Sequence, residues 1–313
     1  MEPKLFIGFT KESLDTTYSY IIKENIFHHL KKRKIPFTTN IDDDFTEALF
    51  TSATELSYFY PQVLKKNAKI TIVGLSSPDD FFVDPNNDNK LILSQNANNY
   101  YLRADRILVN YTSQAMLLAS QGIVKTVNII KPALTFNPEE PVSNTVKNAF
   151  RSFYQIPDDK KVIISLSSYQ KQEELDLFNG IARINPEYIF LFFGEAGKNN
   201  VKVKLLQRLA KNENTQYLET IPEELYHSAL LAADAYFIPR RYLYYPLTAL
   251  DFMAHKVPII AYKSNNFKDL INEDTALVPN SFAELYHCFR SLFIINKAKE
   301  AYEFVKRIAF FDW

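Results

Sequence analysis

Several features are scarce in this 313-residue sequence, and each scarcity excludes a class of protein. A single cysteine, Cys288, excludes an intrachain disulfide, so we expect a reducing, cytoplasmic setting. The sequence contains no run of about 18 apolar residues, which excludes a conventional transmembrane helix. The five histidines lack the spacing of metal ligands, so we predict no metal site. The formal net charge is zero, which argues against nucleic-acid binding because such binding needs a strong basic field.

Glycine is also scarce, with six residues in the whole chain. Loops that surround phosphate groups usually need glycine for close approach of the backbone, so this chain has few glycines with which to form such a loop. The 47% hydrophobic and 23% charged content is typical of a globular protein, and the length suits two domains of about 150 residues. The first ten residues predict a strand rather than a signal peptide.

Strand and helix patterns alternate through the whole chain, which predicts parallel sheets with crossover helices. In the first half, we predict strands at 4–9, 68–73, 106–110 and 125–130, and helices at 17–32 and 113–121; residues 47–64 fit either type. In the second half, we predict strands at 161–166, 188–193, 216–218, 235–238 and 258–262, and helices at 173–184, 201–210, 246–256, 281–294 and 297–308. The stretch 131–145 holds three prolines and no periodicity, and we interpret it as an interdomain linker.

The fold predicted from this pattern is α/β, with two Rossmann-like domains facing across a cleft. The first domain covers residues 1–140 and the second covers residues 141–296. We expect the terminal helix, residues 297–313, to pack back on the first domain.

Three stretches show a resemblance to a known family: 103–132, 150–194 and 225–262. In the last of them a strand, a loop opened by Pro239 and a helix that starts near Pro246 follow one another, an arrangement that places free N–H groups where phosphates bind. The order of these pieces resembles the GT-B glycosyltransferases, specifically the retaining family-four enzymes. The nearest members are the bacterial diacylglycerol glycolipid synthases, which add a hexose to a membrane glycolipid.

The resemblance implies a donor-binding site for a nucleotide sugar such as a UDP-hexose, with no other cofactor. Asp251 matches the residue that holds the ribose hydroxyls, and Thr248 could donate its hydroxyl to a phosphate. Arg240 and Arg241 could neutralise the diphosphate, although both also suit an ordinary solvated loop edge. Two further donor-binding candidates are Gly194 and Lys171.

The sequence departs from the family pattern where the family performs its chemistry. The family's basic pair falls on Ser168 and Glu173, and its sugar-contacting glutamate falls on Leu243. Gly74 stands where the first domain normally has a histidine, and an earlier pair of histidines matches Phe50 and Ser52. We therefore assign no catalytic residue.

Two functions follow from this resemblance. The first, which we favour, is a catalytically impaired family member that binds a glycan, or that stabilises or regulates an active glycosyltransferase partner or a second copy of itself. The alternative is an active retaining enzyme that moves a hexose to a membrane glycolipid or other glycan. The cations at 31–34 either compensate a helix dipole or attach the protein peripherally to an anionic membrane at the inner face of the cell membrane.

Overall fold

The computed structural model describes most of the chain. The described residues are 4–10, 23, 26–27, 29–75, 80–84, 87–124, 126–168, 172–195, 212–239, 246–262, 268–291 and 293–309. The contacts between Cα atoms divide the chain into two compact units, residues 1–135 and residues 136–312. The division falls within the proline-rich stretch that the sequence suggested as a linker.

The first unit is built on a six-stranded parallel sheet with the strand order β2-β1-β3-β4-β7-β8. Its strands are β1 (Leu5–Gly8), β2 (Phe37–Thr38), β3 (Glu47–Phe50), β4 (Lys69–Val73), β7 (Arg106–Val109) and β8 (Val127–Ile129). Strands β5 (Phe81–Asp84) and β6 (Asn87–Leu93) form an antiparallel hairpin. The described helices of this unit are α1 (Ala53–Lys65), α2 (Gln95–Tyr101) and α3 (Thr112–Ser120).

The second unit is built on a five-stranded parallel sheet with the strand order β11-β10-β9-β12-β13. Its strands are β9 (Lys161–Ser168), β10 (Tyr188–Glu195), β11 (Thr215–Leu218), β12 (Ala235–Ile238) and β13 (Ile259–Ala261). The described helices are α4 (Asn144–Phe153), α5 (Gln172–Ile184), α6 (Glu223–Ala232), α7 (Pro246–Ala254), α8 (Phe282–Arg290) and α9 (Phe293–Ile308). In chain order the sheet reads third, second, first, fourth, fifth, which is the order of a Rossmann half.

An aromatic core holds the second sheet to α5 and α8. Phe178 of α5 is fully buried, and its ring centroid lies 5.0 Å from that of Phe192 and 6.2 Å from that of Phe237. Phe289 of α8 lies over the same face of the sheet, 5.5 Å from Phe237 between ring centroids. Buried aromatic groups of this size contribute a large share of the apolar surface removed from water, so they fix both helices against the strands.

Each unit uses an aspartate to fix the start of a central strand. Asp105, just before β7, accepts a hydrogen bond from the backbone N–H of Ile70 at 2.7 Å. Asp234, just before β12, accepts one from the backbone N–H of Val162 at 2.8 Å. In both cases an Ala-Asp pair precedes the strand, so the same local sequence sets the register of neighbouring parallel strands in both sheets.

The predicted fold class, α/β with two Rossmann-like domains, is confirmed by these two parallel sheets. Helix α9 contacts α7 and α8, which both belong to the second unit. The separate packing of residues 297–313 on the first domain stays a prediction. Within the described part of the chain, none of the helices has the length and apolarity needed to cross a bilayer.

Candidate functional site

The strand order of the second unit marks one place where a ligand would bind. In open α/β sheets, ligands lie beyond the carboxyl ends of the strands where the chain reverses its direction of progress across the sheet. In this sheet the reversal occurs between β9 and β12, which are neighbours. The carboxyl ends of β9, β10 and β12, together with the N-terminal turns of α5 and α7, form the segment that we call the carboxyl edge.

The strand ends of the carboxyl edge are held in register by the sheet. Gly194 is paired with Ser167, and Glu195 is paired with Ser168. Gly194, a donor-binding candidate, is buried and is the next-to-last residue of β10. The last two residues of β9 are serines, Ser167 and Ser168.

Helix α7 buries two other donor-binding candidates beside one tyrosine. Asp251 is 2% exposed and Thr248 is 5% exposed. The Tyr226 hydroxyl of α6 donates a hydrogen bond to Asp251 Oδ2 at 3.1 Å and is also hydrogen-bonded to the Thr248 side chain. Burial, and then the Asp251 carboxylate, hold the pKa of Tyr226 well above its usual range, so this hydroxyl remains a proton donor. Sequence reasoning missed Tyr226, because its role depends on how α6 packs beside α7.

Two histidines, His227 of α6 and His255 just after α7, extend this polar cluster towards the C-terminal end of α7. His255 Nδ1 lies 2.8 Å from the backbone oxygen of Asp251, and the rings of His255 and His227 are 5.4 Å apart between centroids. Burial lowers the pKa of His255 to about 4, against the opposing effect of the Asp251 backbone oxygen. Burial also lowers the pKa of His227, whose ring stacks on Phe136 with 4.1 Å between ring centroids. Both imidazoles are therefore neutral near pH 7.

Acidic residues begin the helix that follows β9. Glu173 and Glu174 lie in the first turn of α5, where Glu173 is exposed and Glu174 is buried. Negative charge in the first turn stabilises the helix through its dipole, and it also occupies the electrostatic position in which a phosphate would bind. The first turn of α7, in contrast, holds no acidic residue.

The remaining candidates fall outside the described residues. These are Arg240, Arg241 and Lys171, and Leu243 also falls outside the described residues. Their predicted roles at the diphosphate therefore stay predictions. In the described part of the chain, no group of three His, Cys, Asp or Glu side chains is placed to hold a metal ion.

In the first unit, the end of β4 leaves no space for a side chain at Gly74. A Cβ atom at this position would lie 2.7 Å from Ile107 Cγ2 and 3.2 Å from Val109 Cγ1. The neighbouring chain is held by Tyr101, whose buried hydroxyl accepts a hydrogen bond from the Leu75 N–H at 2.8 Å and donates one to Asp80 at 2.6 Å. A histidine at this position would require the Ile107 side chain, or the strand that carries it, to shift.

The chain is similar to known proteins both in sequence family and in structure. No curated protein sequence matches the chain significantly. A sequence family, described as Glycosyl transferases group 1, matches residues 146–288, which form most of the second unit.

The solved structures similar to the whole chain are also glycosyltransferases. Anabaena HepE, solved in complex with UDP and glucose, has a TM-score of 0.68 and 13% identity, covering 98% of this chain and 95% of its own. A glycosyltransferase from Rickettsia africae has a TM-score of 0.62 and 12% identity, covering 98% and 94%. Sucrose-phosphate synthase from Thermosynechococcus elongatus has a TM-score of 0.63 and 15% identity, covering 97% and 76%. These similarities show the fold, which is the GT-B fold.

Proposed function

We propose that this GT-B protein is a catalytically impaired glycosyltransferase homologue in the synthesis of cell-envelope glycolipid or glycan. It acts as a glycan-binding subunit, or as a subunit that stabilises or regulates an active glycosyltransferase. The observation that supports this proposal is the charge of the carboxyl edge. Its described strand ends and helix turns include Glu173, Glu174 and Glu195, and no lysine or arginine occurs among those described residues.

A departing nucleoside diphosphate develops negative charge, and glycosyl transfer needs cations, a metal or oriented N–H groups to stabilise it. Removal of one such group commonly lowers the rate by about two to three orders of magnitude. The resemblance places the family's basic pair at Ser168 and Glu173, so a neutral and an acidic residue stand where it implies two cations. In the first unit, Gly74 provides no polar side chain where the resemblance implies a histidine.

The burial of Asp251 supports the same proposal. A carboxylate that binds ribose has to present an oxygen to the ligand, whereas Asp251 is 2% exposed and accepts a hydrogen bond from Tyr226. A buried carboxylate that is hydrogen-bonded within the protein stabilises the packing of α6 against α7. Asp251 thus fits a structural role as well as it fits the predicted ribose contact.

One observation favours the alternative, an active hexosyltransferase that uses a nucleotide sugar. The first turn of α7 holds no acidic residue, and the N-terminus of a helix favours a phosphate through its backbone N–H groups. HepE, which has the same fold, was solved with UDP and glucose bound. In this alternative, the undescribed loop with Arg240 and Arg241 would supply the positive charge.

Calorimetry with UDP-glucose, UDP-galactose and UDP-GlcNAc separates the two functions. We expect weak or no binding of each donor by the isolated protein. Low-micromolar binding of any of them, together with hexose transfer onto a lipid acceptor, would establish the enzyme and refute the impaired homologue.

If donor binding is found, the double variant Arg240→Ala, Arg241→Ala and the single variant Lys171→Ala locate the phosphate. Loss of UDP binding in the double variant alone would assign the diphosphate to the loop before α7. Loss in Lys171→Ala alone would assign it to the loop after β9. A well-folded double variant with full binding would show that the two arginines form an ordinary loop edge.

The same proposal includes peripheral attachment to an anionic membrane through the first unit. Lys31, Lys32, Arg33 and Lys34 are all exposed at the end of a helical segment, and Ile35 beside them is 42% exposed. Each basic residue near an anionic surface contributes on the order of 1 kcal/mol. In vesicle co-sedimentation we expect binding to phosphatidylserine-containing vesicles and not to neutral ones, and equal retention by both would contradict it.

A matched pair of variants identifies the surface responsible for this attachment. The variant Lys31→Gln, Lys32→Gln should lose vesicle binding, because it removes two exposed charges from the basic segment. The variant Lys65→Gln, Lys147→Gln removes two exposed charges elsewhere and should retain vesicle binding.

For the partner, light scattering of the purified protein distinguishes a homo-oligomer from a monomer that needs another glycosyltransferase.

A further inference from the structure

The second unit has a cavity at the edge of its sheet opposite to the carboxyl edge. The cavity has a volume of about 700 Å³ and is lined by residues at the amino ends of the strands, among them Lys161 of β9, Tyr188 of β10 and Ala235 of β12. We call this place the amino edge. Strand β9 has eight residues, and a strand rises about 3.3 Å per residue, so the two edges lie about 25 Å apart. Known ligands of doubly wound domains bind at the other edge, so this cavity is a separate feature.

The other side of the cavity is closed by the last helices of the unit. Phe289 lies near the end of α8, and Tyr302 lies in the middle of α9. The Tyr188 hydroxyl donates a hydrogen bond to the Phe289 backbone oxygen at 2.7 Å, and the Tyr302 hydroxyl donates one to Glu139 Oε1 at 3.0 Å. Both tyrosines are thereby held in place, and the cavity has an ordered aromatic lining. A volume of this size is typical of sites for small molecules.

Four cationic side chains surround the cavity: Lys161, Lys256, Arg290 and Lys299. None of them forms an ion pair with a carboxylate in the described part of the chain. Lys161 Nζ lies 5.9 Å from the centroid of the Tyr188 ring, and Lys256 Nζ lies 4.8 Å from that of Tyr302. These contacts keep the two ammonium groups near the cavity without neutralising them.

Two carboxylates also line the cavity, and they do not balance the cations. Asp234 is already committed, because its Oδ2 accepts the Val162 N–H and lies 3.6 Å from Arg151 Nη2. Glu303 is exposed on α9. With four cations and two carboxylates, the lining has a formal excess of two positive charges. This excess occurs in a protein whose net charge is zero.

Helix geometry explains only half of these cations. Lys256 follows α7 and Arg290 ends α8, and a cation at the C-terminal end of a helix is favourable by itself. Lys161 opens a strand and Lys299 lies in the second turn of α9, so neither is placed by a helix end. Their convergence on one cavity needs another explanation, and a bound anion supplies it.

We propose that the amino edge binds a small phosphorylated molecule, of a size between a sugar phosphate and a mononucleotide. The phosphate would lie among Lys161, Lys256 and Lys299, where charge-assisted hydrogen bonds are available. The aromatic lining would contact the sugar or base that bears the phosphate. This site is independent of the proposed function, because it does not involve the carboxyl edge and needs neither donor binding nor catalysis there.

Calorimetry with glucose 6-phosphate and uridine monophosphate tests the site, with glucose and uridine as the matching compounds without phosphate. We expect at least one of the phosphorylated compounds to bind and neither neutral compound to bind. The binding should weaken as salt is raised from 50 to about 500 mM, because exposed charges are screened. If neither phosphorylated compound binds the wild-type protein, the proposal is wrong.

A charge-neutralising variant then separates the amino edge from the donor site. Lys161→Gln, Lys299→Gln removes the two cations that helix ends do not explain, and both side chains are exposed, so folding should be preserved. We expect affinity to fall by about tenfold or more, as for the loss of charge-assisted hydrogen bonds. The control Lys147→Gln, Lys268→Gln neutralises two exposed lysines that do not line the cavity, and it should bind as the wild type does. Equal affinity in both variants would place the ligand elsewhere and overturn the proposal.

Discussion

In the second sheet, the described part of the carboxyl edge is acidic and the amino edge is basic. An enzyme that uses a nucleotide sugar needs positive charge at the carboxyl edge. At the carboxyl edge, where the donor diphosphate would bind, the described residues include Glu173, Glu174 and Glu195. At the amino edge, where doubly wound domains have no general ligand site, Lys161 and Lys299 converge with two further cations on a cavity. The same strands connect the two edges, so the charge of each edge is set by the residues at the strand ends and not by the fold.

This comparison separates the parts of the GT-B scaffold that depend on apolar packing from the charges at the two edges of the sheet. The Rossmann-type strand order and the aromatic core around Phe178 depend on apolar packing, which does not require a functional donor site. Glu173 at the carboxyl edge and Lys161 and Lys299 at the amino edge are exposed, and substitution of an exposed charge usually has little effect on stability. The following predictions separate the shared core from each edge.

The largest effect is expected from removing the core that both edges share. Phe178→Ala deletes a fully buried ring that contacts Phe192 and Phe237, and we expect it to lower the free energy of unfolding by about 3 to 5 kcal/mol. Chemical denaturation measures the change. The control Phe153→Ala removes a ring that is 60% exposed and should have little effect. Similar losses in the two variants would mean that Phe178 does not anchor this core.

The next effect concerns His255, a partly buried histidine that follows the C-terminal end of α7. The pKa of His255 is lowered to about 4 by burial, whereas an unfolded histidine has a pKa of about 6.5. Between these values the unfolded chain binds more protons than the folded chain, so stability rises with pH and is lost as pH falls from about 6.5 to about 4. The full difference amounts to roughly 3 kcal/mol.

Denaturation at a series of pH values compares His255→Gln with His287→Gln, a control at an exposed position. We expect the first variant to lose most of this pH dependence and the second to keep it. An unchanged pH profile in His255→Gln would show that another group is responsible.

A smaller effect is expected at the amino edge itself. Asp234→Ala removes the acceptor of the Val162 N–H at the start of β9, and we expect a loss of about 1 kcal/mol because the carboxylate is 39% exposed. Asp158→Ala removes an exposed carboxylate near the same strand and serves as the control. If Asp158→Ala destabilises the protein as much as Asp234→Ala does, the backbone contact of Asp234 carries no specific stability.

Much of the fold follows from the sequence because the strands and helices are local patterns. The segment 47–64 was ambiguous for a physical reason: Pro61 lies inside α1, where proline is normally unfavourable. The structure divides this segment into β3 and α1 at Ser52, whose side chain accepts a hydrogen bond from the Glu55 N–H at 3.1 Å. This Ser-x-x-Glu pattern is a helix-start signal that the sequence contained.

Other elements were not predicted although the sequence holds signals for them. The hairpin of β5 and β6 joins two apolar runs through Asp84-Pro85-Asn86-Asn87, a typical turn composition. Helix α4 starts after Ser143, which caps it by accepting a hydrogen bond from the Val146 N–H at 3.3 Å. The helix predicted at 281–294 instead ends at Arg290, and α9 begins at Phe293. The helix predicted at 201–210 lies outside the described residues.

The arrangement of the sites could not be predicted to the same extent, because it depends on contacts between distant segments. Tyr226 reaches Asp251 only through the packing of α6 beside α7. The cations of the amino edge come from separate parts of the sequence, and Lys161 and Lys299 are 138 positions apart. A resemblance in sequence can locate positions along the chain, but only the fold shows which charges converge.

The most direct test of the central claim is to introduce cations at the two positions where the resemblance implies them, which gives a restored variant, and to measure UDP binding by calorimetry. The variant Ser168→Arg, Glu173→Lys replaces the neutral and acidic residues at the end of β9 and the start of α5. The control Ser152→Arg, Glu213→Lys makes the same change of charge at exposed positions away from that edge. We predict no low-micromolar binding by the wild type or the control, and an affinity at least about tenfold higher in the restored variant. Low-micromolar binding by the wild type, with no gain in the restored variant, would contradict the account.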